Sequence, residues 1–317
     1  MSARFSIVTT TFNEYELTRQ LVESVLTNID RSTFDKLIIA DDFSKKDGKL
    51  RPYLEYLQSN YDFIECILHD EHFDSIYNEW TKTTPAGSNW GPVVNLMHGV
   101  ERVETEFSLN VDSDTIFLKK SKNLLTEMAN RFDQNPNVVI MGQVMGDKTP
   151  YKVFTDPGKY WNDNDKIGSP SPMANAVRMS LIKERGIDYV FLGHPRDKAI
   201  RAGWNTSFLM RGIFEANLHT MNFPLFSEPF MVHIGGGTVD QHVVGRMMRK
   251  FAYCTDFEGR YGGKGGGDKA ISIIDWYSGR VMINKKHDEY VAYLRNLYNR
   301  PYNDVREFDE SIIKVVD

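Results

Sequence analysis

Apolar positions in the first half of the chain follow two alternating rhythms. Phe5-Ser6-Ile7-Val8-Thr9 is a short, β-branched run of the kind a buried strand needs, and it stops at Thr10-Thr11-Phe12-Asn13-Glu14. Leu17, Leu21 and Val25 then recur every fourth residue, as one face of an amphipathic helix requires. The pair of rhythms repeats. Leu37-Ile38-Ile39-Ala40 predicts a second strand ending at Asp41-Asp42, and Leu50, Leu54 and Leu57 a second helix. Phe63 to Leu68 predicts a third strand, and Val93 to Val103 a third helix. Phe107-Ser108-Leu109-Asn110-Val111 predicts a fourth strand ending at Asp112. A helix through Leu124, Leu125, Met128 and Phe132 and a strand at Val138 to Met141 complete this half.

Strands that alternate with helices predict an α/β fold with a mostly parallel sheet covered on both faces. Such sheets bind ligands beyond the carboxyl ends of their strands. Three of these ends carry polar clusters: Thr-Thr-Phe-Asn-Glu, Asp-Asp and Asp-Ser-Asp. Beyond about residue 145 the alternation weakens, and residues 146–172, rich in Asp, Asn, Gly, Pro and Lys, read as a long surface excursion. Patterns return near Met173 to Ile182, Tyr189 to Leu192 and Phe208 to Ile213. A glycine-rich stretch runs from Gly259 to Gly267, and residues 288–298 predict a terminal amphipathic helix. The pattern divides the chain into an alternating part (1–145), a less regular part (146–240) and a remainder. A C-terminal glycine-rich and helical extension occupies 241–317.

Composition narrows the classes. Of 317 residues, 41% are hydrophobic and 26% charged, which argues against disorder and low-complexity repeats. A net charge of −5 speaks against wholesale nucleic-acid binding. No apolar run is long enough to span a bilayer, and no targeting pattern precedes Phe5, so no transmembrane segment is expected. Two cysteines, Cys66 and Cys254, make no disulfide framework, and a reducing, cytoplasmic setting is the expectation.

The chemistry concentrates at Asp112-Ser113-Asp114. Two carboxylates one residue apart at a strand end repel each other in a cleft unless a cation joins them. Hard oxygen ligands favour Mg²⁺ or Mn²⁺, which commonly share oxygens with a diphosphate. An Asx-rich turn capping the next helix is the alternative for an isolated motif of this length. Asp41 stands on the same rim, where a carboxylate can accept from a base imide or from ribose hydroxyls; a solvated turn is its alternative reading.

Phe5-Ser6-Ile7-Val8-Thr9-Thr10-Thr11-Phe12-Asn13-Glu14, Ile38-Ile39-Ala40-Asp41-Asp42-Phe43-Ser44 and Val111-Asp112-Ser113-Asp114 together resemble the GT-A glycosyltransferases of the family 2-like group. Gly91-Pro92-Val93-Val94-Asn95, with Gly99, stands where that group commonly has Gly and Asn before the metal strand. The resemblance spans residues 5–145 well and the rest loosely. It implies a GT-A (Rossmann-like) catalytic domain over residues 1–240, with a nucleotide-binding half (1–145) and an acceptor half (146–240), a C-terminal acceptor-side extension, and transfer of a sugar from a nucleoside diphosphate to an acceptor hydroxyl. The donor would be a UDP- or GDP-sugar and the acceptor a glycan or another hydroxyl compound. Thr9, Thr11, Glu14, Asp41 and Asp112 would bind the donor nucleotide; Asp112 and Asp114 would hold Mn²⁺ or Mg²⁺. Thr10 replaces the usual Pro, and Phe43 the usual Gly after the paired aspartates. Met231-Val232-His233-Ile234-Gly235-Gly236-Gly237 resembles the late His-Gly-Gly segment of such enzymes, which makes His233 a third metal ligand; a strand-end His before a tight turn is the plainer reading.

An inverting transfer also needs a base for the acceptor hydroxyl. Asp197 is the best-placed candidate, followed by Asp188 and Glu215, with a surface turn or an ion pair to Arg196 or Arg201 as the other reading of Asp197. Trp161 is the aromatic most suited to stack on a sugar. Two further readings stand beside the transferase: a nucleotide- or carbohydrate-binding module of the same fold without turnover, and a haloacid-dehalogenase-like phosphatase. Asp112-Ser113-Asp114-Thr115 fits the nucleophile motif of the phosphatases. In that family the motif opens the chain and an acidic pair comes later, an order this sequence does not share.

Overall fold

A computed structural model of the protein describes residues 3–12, 14–41, 44, 46, 48–68, 90–144, 147, 149–155, 168, 170–187, 212–226, 228, 230–233, 281–283 and 287–315. The expected alternation is present. Strand β1 (Phe5–Thr11) leads to helix α1 (Tyr15–Asn28), β2 (Phe34–Asp41), α2 (Leu50–Asn60) and β3 (Ile64–Leu68). Then come α3 (Trp90–Glu101), β4 (Phe107–Asp112), β5 (Thr115–Phe117), α4 (Leu124–Gln134), β6 (Val138–Val144) and β7 (Val153–Phe154). The chain continues through β8 (Pro170–Arg178), α5 (Met179–Glu184), β9 (His219–Asn222) and β10 (Met231–His233). It ends with β11 (Val281–Ile283), α6 (His287–Asn299) and β12 (Ile313–Val315). No helix among the described residues is long and apolar enough to cross a membrane.

Eight strands form one sheet in the order β3-β2-β1-β4-β8-β6-β9-β7. Four of its seven pairings are parallel: β2 with β3, β1 with β2, β1 with β4, and β6 with β9. Strand β8 runs antiparallel between β4 and β6, and β7 antiparallel on β9. The sheet is parallel where the alternation was legible and mixed beyond it. The excursion expected at 146–172 contains β7 and runs into β8. The order turns back on itself at β1: β2 and β3 build outward on one side and β4 on the other. That reversal opens a crevice between the carboxyl ends of β1 and β4.

Both faces of the sheet are covered, which explains why its central strands are apolar on both sides. Phe5 and Ile7 of β1 pack into the larger core with Leu21 and Val25 of α1, Leu54 and Leu57 of α2, and Met128 and Phe132 of α4. Val8, one residue on, points the other way, toward Leu96 and Val100 of α3 and Met179 and Ile182 of α5. The approach of α3 to β1 is close enough to demand glycine: a Cβ on Gly99 would lie 2.5 Å from Val8 Cγ1.

The end of the chain is tied to its beginning. Arg19 of α1 is fully buried. It donates to Glu23 Oε1 (2.8 Å), Tyr15 Oη (2.8 Å) and the carbonyls of Leu297 (3.1 Å), Arg300 (2.8 Å), Pro301 (2.8 Å) and Asp304 (3.1 Å). Glu23 Oε2 in turn accepts from Arg300 Nη2 at 2.7 Å. Such a charge is tolerable in the interior only because the guanidinium protons find acceptors.

Candidate functional site

Strand register brings the three polar ends together. Thr10 of β1 lies beside Asp112 of β4, and Thr11 beside Asp41 of β2. They line the carboxyl edge on either side of the switch point, where open α/β sheets take their ligands.

From Asp112 the chain turns through Ser113 and Asp114 into β5, and β5 pairs antiparallel with β10 so that His233 stands opposite Thr115. The pairing is fixed from behind by α1: Ser24 Oγ accepts from the Phe117 amide (3.0 Å), and Asn28 Nδ2 donates to the Phe117 carbonyl (2.7 Å). The Leu118 amide donates to the Phe230 carbonyl at 2.9 Å, which anchors the start of β10. His233, 121 positions from Asp112 in sequence, thereby places Nε2 3.1 Å from Asp112 Oδ2. The same nitrogen lies 2.9 Å from Asp114 Oδ1.

These three residues offer ligand atoms within 4.8 Å of one another. Their side chains are 26% (Asp112), 7% (Asp114) and 10% (His233) exposed, so the cluster has a mouth on one side. Burial raises the Asp112 carboxyl above its ordinary range and Asp114 adds to that, while His233 pulls the other way. Burial disfavours a charged His233, but the Asp114 charge and hydrogen bonds to both carboxylates prevail and push the imidazole up to about 10. Two carboxylate oxygens and one imidazole nitrogen converging on one point form a donor set suited to Mn²⁺ or Mg²⁺, so the residues fit the metal that the sequence motif implies.

The nucleotide-side residues have definite surroundings. Glu14 is wholly buried, and its Oε2 accepts from Ser113 Oγ at 2.7 Å. Thr11 Oγ1 lies 2.5 Å from Thr18 Oγ1, fixing the end of β1 against α1. Thr9 is buried two residues earlier on the same strand; its hydroxyl has no hydrogen-bond partner among the described residues. Asp41 is fully buried and accepts from the Ser44 amide (3.2 Å) and from Ser44 Oγ. Arg51 Nη1 lies 3.5 Å from its Oδ2. The Asp41 carboxylate is thus buried and bonded to Ser44, which differs from the solvated turn that is its alternative reading in the sequence.

Asp197, Asp188, Trp161 and the stretch from Gly259 to Gly267 lie outside the described residues. Glu215 is exposed and shortly precedes β9, a strand parallel to β6. The direction of β9 puts it toward the amino edge of the sheet, away from the strand ends that carry the acidic cluster. Sequence reasoning missed Ser113 as a participant. Its signal was available only in part, as a small hydroxyl between two aspartates with an apolar strand on each side.

No curated protein matches the chain. Solved structures are similar to it in part, among them the following. One is S. aureus TarS 1-349 (17% identity over 70% of this chain and 57% of that one, TM-score 0.44). Another is the same protein in complex with UDP-GlcNAc (17%, 82% and 68%, TM-score 0.46). The third is the mannosyltransferase PcManGT from Pyrobaculum calidifontis with GDP-Man and Mn²⁺ (13%, 70% and 55%, TM-score 0.40). The chain thus spans little more than half the length of the first and third. Residues 6–78, the part that supplies Thr9, Thr11, Glu14 and Asp41, match the sequence profile of the family described as Glycosyl transferase family 2.

Proposed function

We propose that this protein is a metal-dependent glycosyltransferase that moves a sugar from a nucleoside diphosphate to an acceptor hydroxyl. The observation that carries the reading is the convergence of Asp112, Asp114 and His233 at the switch point, beside strand ends that match family 2. In the reaction, the bond between the anomeric carbon and the diphosphate oxygen breaks and a bond to the acceptor oxygen forms. Asp112, Asp114 and His233 would hold a divalent cation, which would supply positive charge to stabilise the leaving diphosphate.

The chain's own residues divide the remaining work. Thr9 and Thr11, with Glu14 behind them, define the edge against which the base lies. Asp41 holds the turn beyond β2 that closes the other side of the base. Asp112, the most exposed of the three metal-side groups, would contact the ribose as well. The acceptor's proton is assigned to Asp197 on sequence grounds.

A thermal-shift series with UDP-, GDP-, CDP- and TDP-sugars, with and without Mn²⁺, tests the reading. Ligand at about 100 times its Kd stabilises the fold by about 2.7 kcal/mol, so a matching donor raises Tm by a few degrees and the others do not. Asp114→Ala should abolish the metal-dependent part of the shift. No response to any nucleotide sugar with Mn²⁺, or phosphate release from simple phosphomonoesters, would overturn the proposal.

A further inference from the structure

The Glu14–Ser113 bond joins the two halves of the site across 99 positions of sequence, and it does so in the interior. Glu14 is 0% exposed and Ser113 4%. A carboxylate withdrawn from water is costly unless it is hydrogen-bonded. Helix capping does not account for its place on the path from β1 into α1, for Glu14 makes no side-chain bond to the amides of the α1 amino terminus. What the carboxylate does reach is the middle residue of the Asp112-Ser113-Asp114 turn. Ser113 points inward while its two neighbours carry the ligand oxygens. The hydroxyl and the flanking carboxylates thus share one short stretch of backbone, so fixing the first fixes the orientation of the others.

We infer that Glu14 is a positioning residue for the metal turn, acting through Ser113 rather than by touching nucleotide or cation. This rests on the proposed metal site, and it revises the part of that reading which sets Glu14 against the nucleotide. The turn has other supports: β5 is clasped by Ser24 and Asn28, and β4 by its neighbours in the sheet. Between those fixed ends, at residue 113, the Glu14 carboxylate adds a restraint from the nucleotide side. Groups that orient a metal ligand from outside the coordination shell typically affect affinity by about 10- to 100-fold. Ser113→Ala should fall at the lower end of that range, because the ligands themselves remain.

The test measures Mn²⁺ binding to the whole chain by electron paramagnetic resonance of the free ion, with Tm in the absence of metal as a control. Variants are Ser113→Ala, Glu14→Ala, Glu14→Gln and Ser113→Thr. The expected result is a Kd for Mn²⁺ raised about tenfold in Ser113→Ala and Glu14→Ala. Glu14→Gln and Ser113→Thr, which retain an acceptor and a hydroxyl, should recover most of that loss. A merely structural bond would lower Tm in all four without separating them in Kd. Wild-type Mn²⁺ affinity in Ser113→Ala and Glu14→Ala overturns this inference and leaves the metal site standing. Absence of Mn²⁺ binding by the wild-type protein overturns both.

Discussion

Replacing Arg19 by methionine should release the end of the chain from α1. The substitution keeps much of the side chain's apolar bulk and removes a guanidinium that contacts six acceptors, four of them carbonyls between Leu297 and Asp304. Removing one partner of a buried ion pair costs about 3–5 kcal/mol, because the other charge stays behind. Here Glu23 retains Arg300 on its second oxygen, which softens that loss. The carbonyls of Leu297 and Arg300 work in the opposite direction, at about 1–3 kcal/mol for each that stays dry, while Pro301 O keeps the Asp304 amide and Asp304 O keeps Arg300 Nη1. These penalties do not simply add, since the segment can escape them by undocking into water. The expected cost is therefore about 3–5 kcal/mol, expressed as local opening of residues 287–304. Hydrogen exchange measured by mass spectrometry should show peptides from 290–304 exchanging about a hundredfold to a few thousandfold faster, at 1.36 kcal/mol per decade. Peptides from β1 and β4 should be nearly unchanged. Arg300→Met, which spares Arg19 and its carbonyl acceptors, should have a smaller effect. Equal protection of 290–304 in Arg19→Met and wild type would refute the reasoning.

Gly99→Ala should destabilise the fold by about 1–3 kcal/mol despite the better helix propensity of alanine, because the new methyl meets a stiff β-branched side chain. Combined with Val8→Ala it should show favourable coupling in urea unfolding; additive losses would mean that α3 moves aside freely. Burial, with smaller contributions from Asp41 and Glu65, pushes the Cys66 thiol up to about 12. In a Cys254→Ser background Cys66 should therefore resist thiol reagents at pH 8 until the protein unfolds, and rapid stoichiometric labelling of native protein would contradict this. Because the fold favours the neutral thiol, its contribution to stability is intact below the unfolded thiol's pKa and is lost as pH rises through about 12. Arg4 holds the Asp133 carboxyl below its usual range at the opposite edge of the sheet. That pair's small contribution should fade as pH falls through the depressed value, seen as a lower urea midpoint in acid that Asp133→Asn no longer shows.

Much of this fold is written in local periodicity. Phe5 to Thr9, Leu37 to Ala40 and Phe107 to Val111 are unambiguous because a strand buried on both faces needs an unbroken apolar run. Strand β8 was not separable from the helix α5 directly after it. Its Ala174-Asn175-Ala176-Val177 is small and mixed, and its direction is set by pairing with β4 and β6. Asp112 and Asp114 were visible as a motif, and His233 as part of a short late segment. Their meeting depends on the register of β5 against β10, a long-range fact that no local pattern encodes. The inward turn of Glu14 was hidden for a similar reason. A glutamate after a strand has the same letters whether it faces a ligand or a serine 99 positions away.

The union of β5 with β10 also has a bearing on how the protein is made. During synthesis the edge formed by β1 and β2 emerges early, and both aspartates are out well before His233 leaves the ribosome. Closing so long a loop carries an entropic cost that local contacts do not face, and such contacts generally form late. The proposed metal site would therefore be complete only in a chain that has finished folding, and nascent or truncated forms lacking the late strand would be without its third ligand.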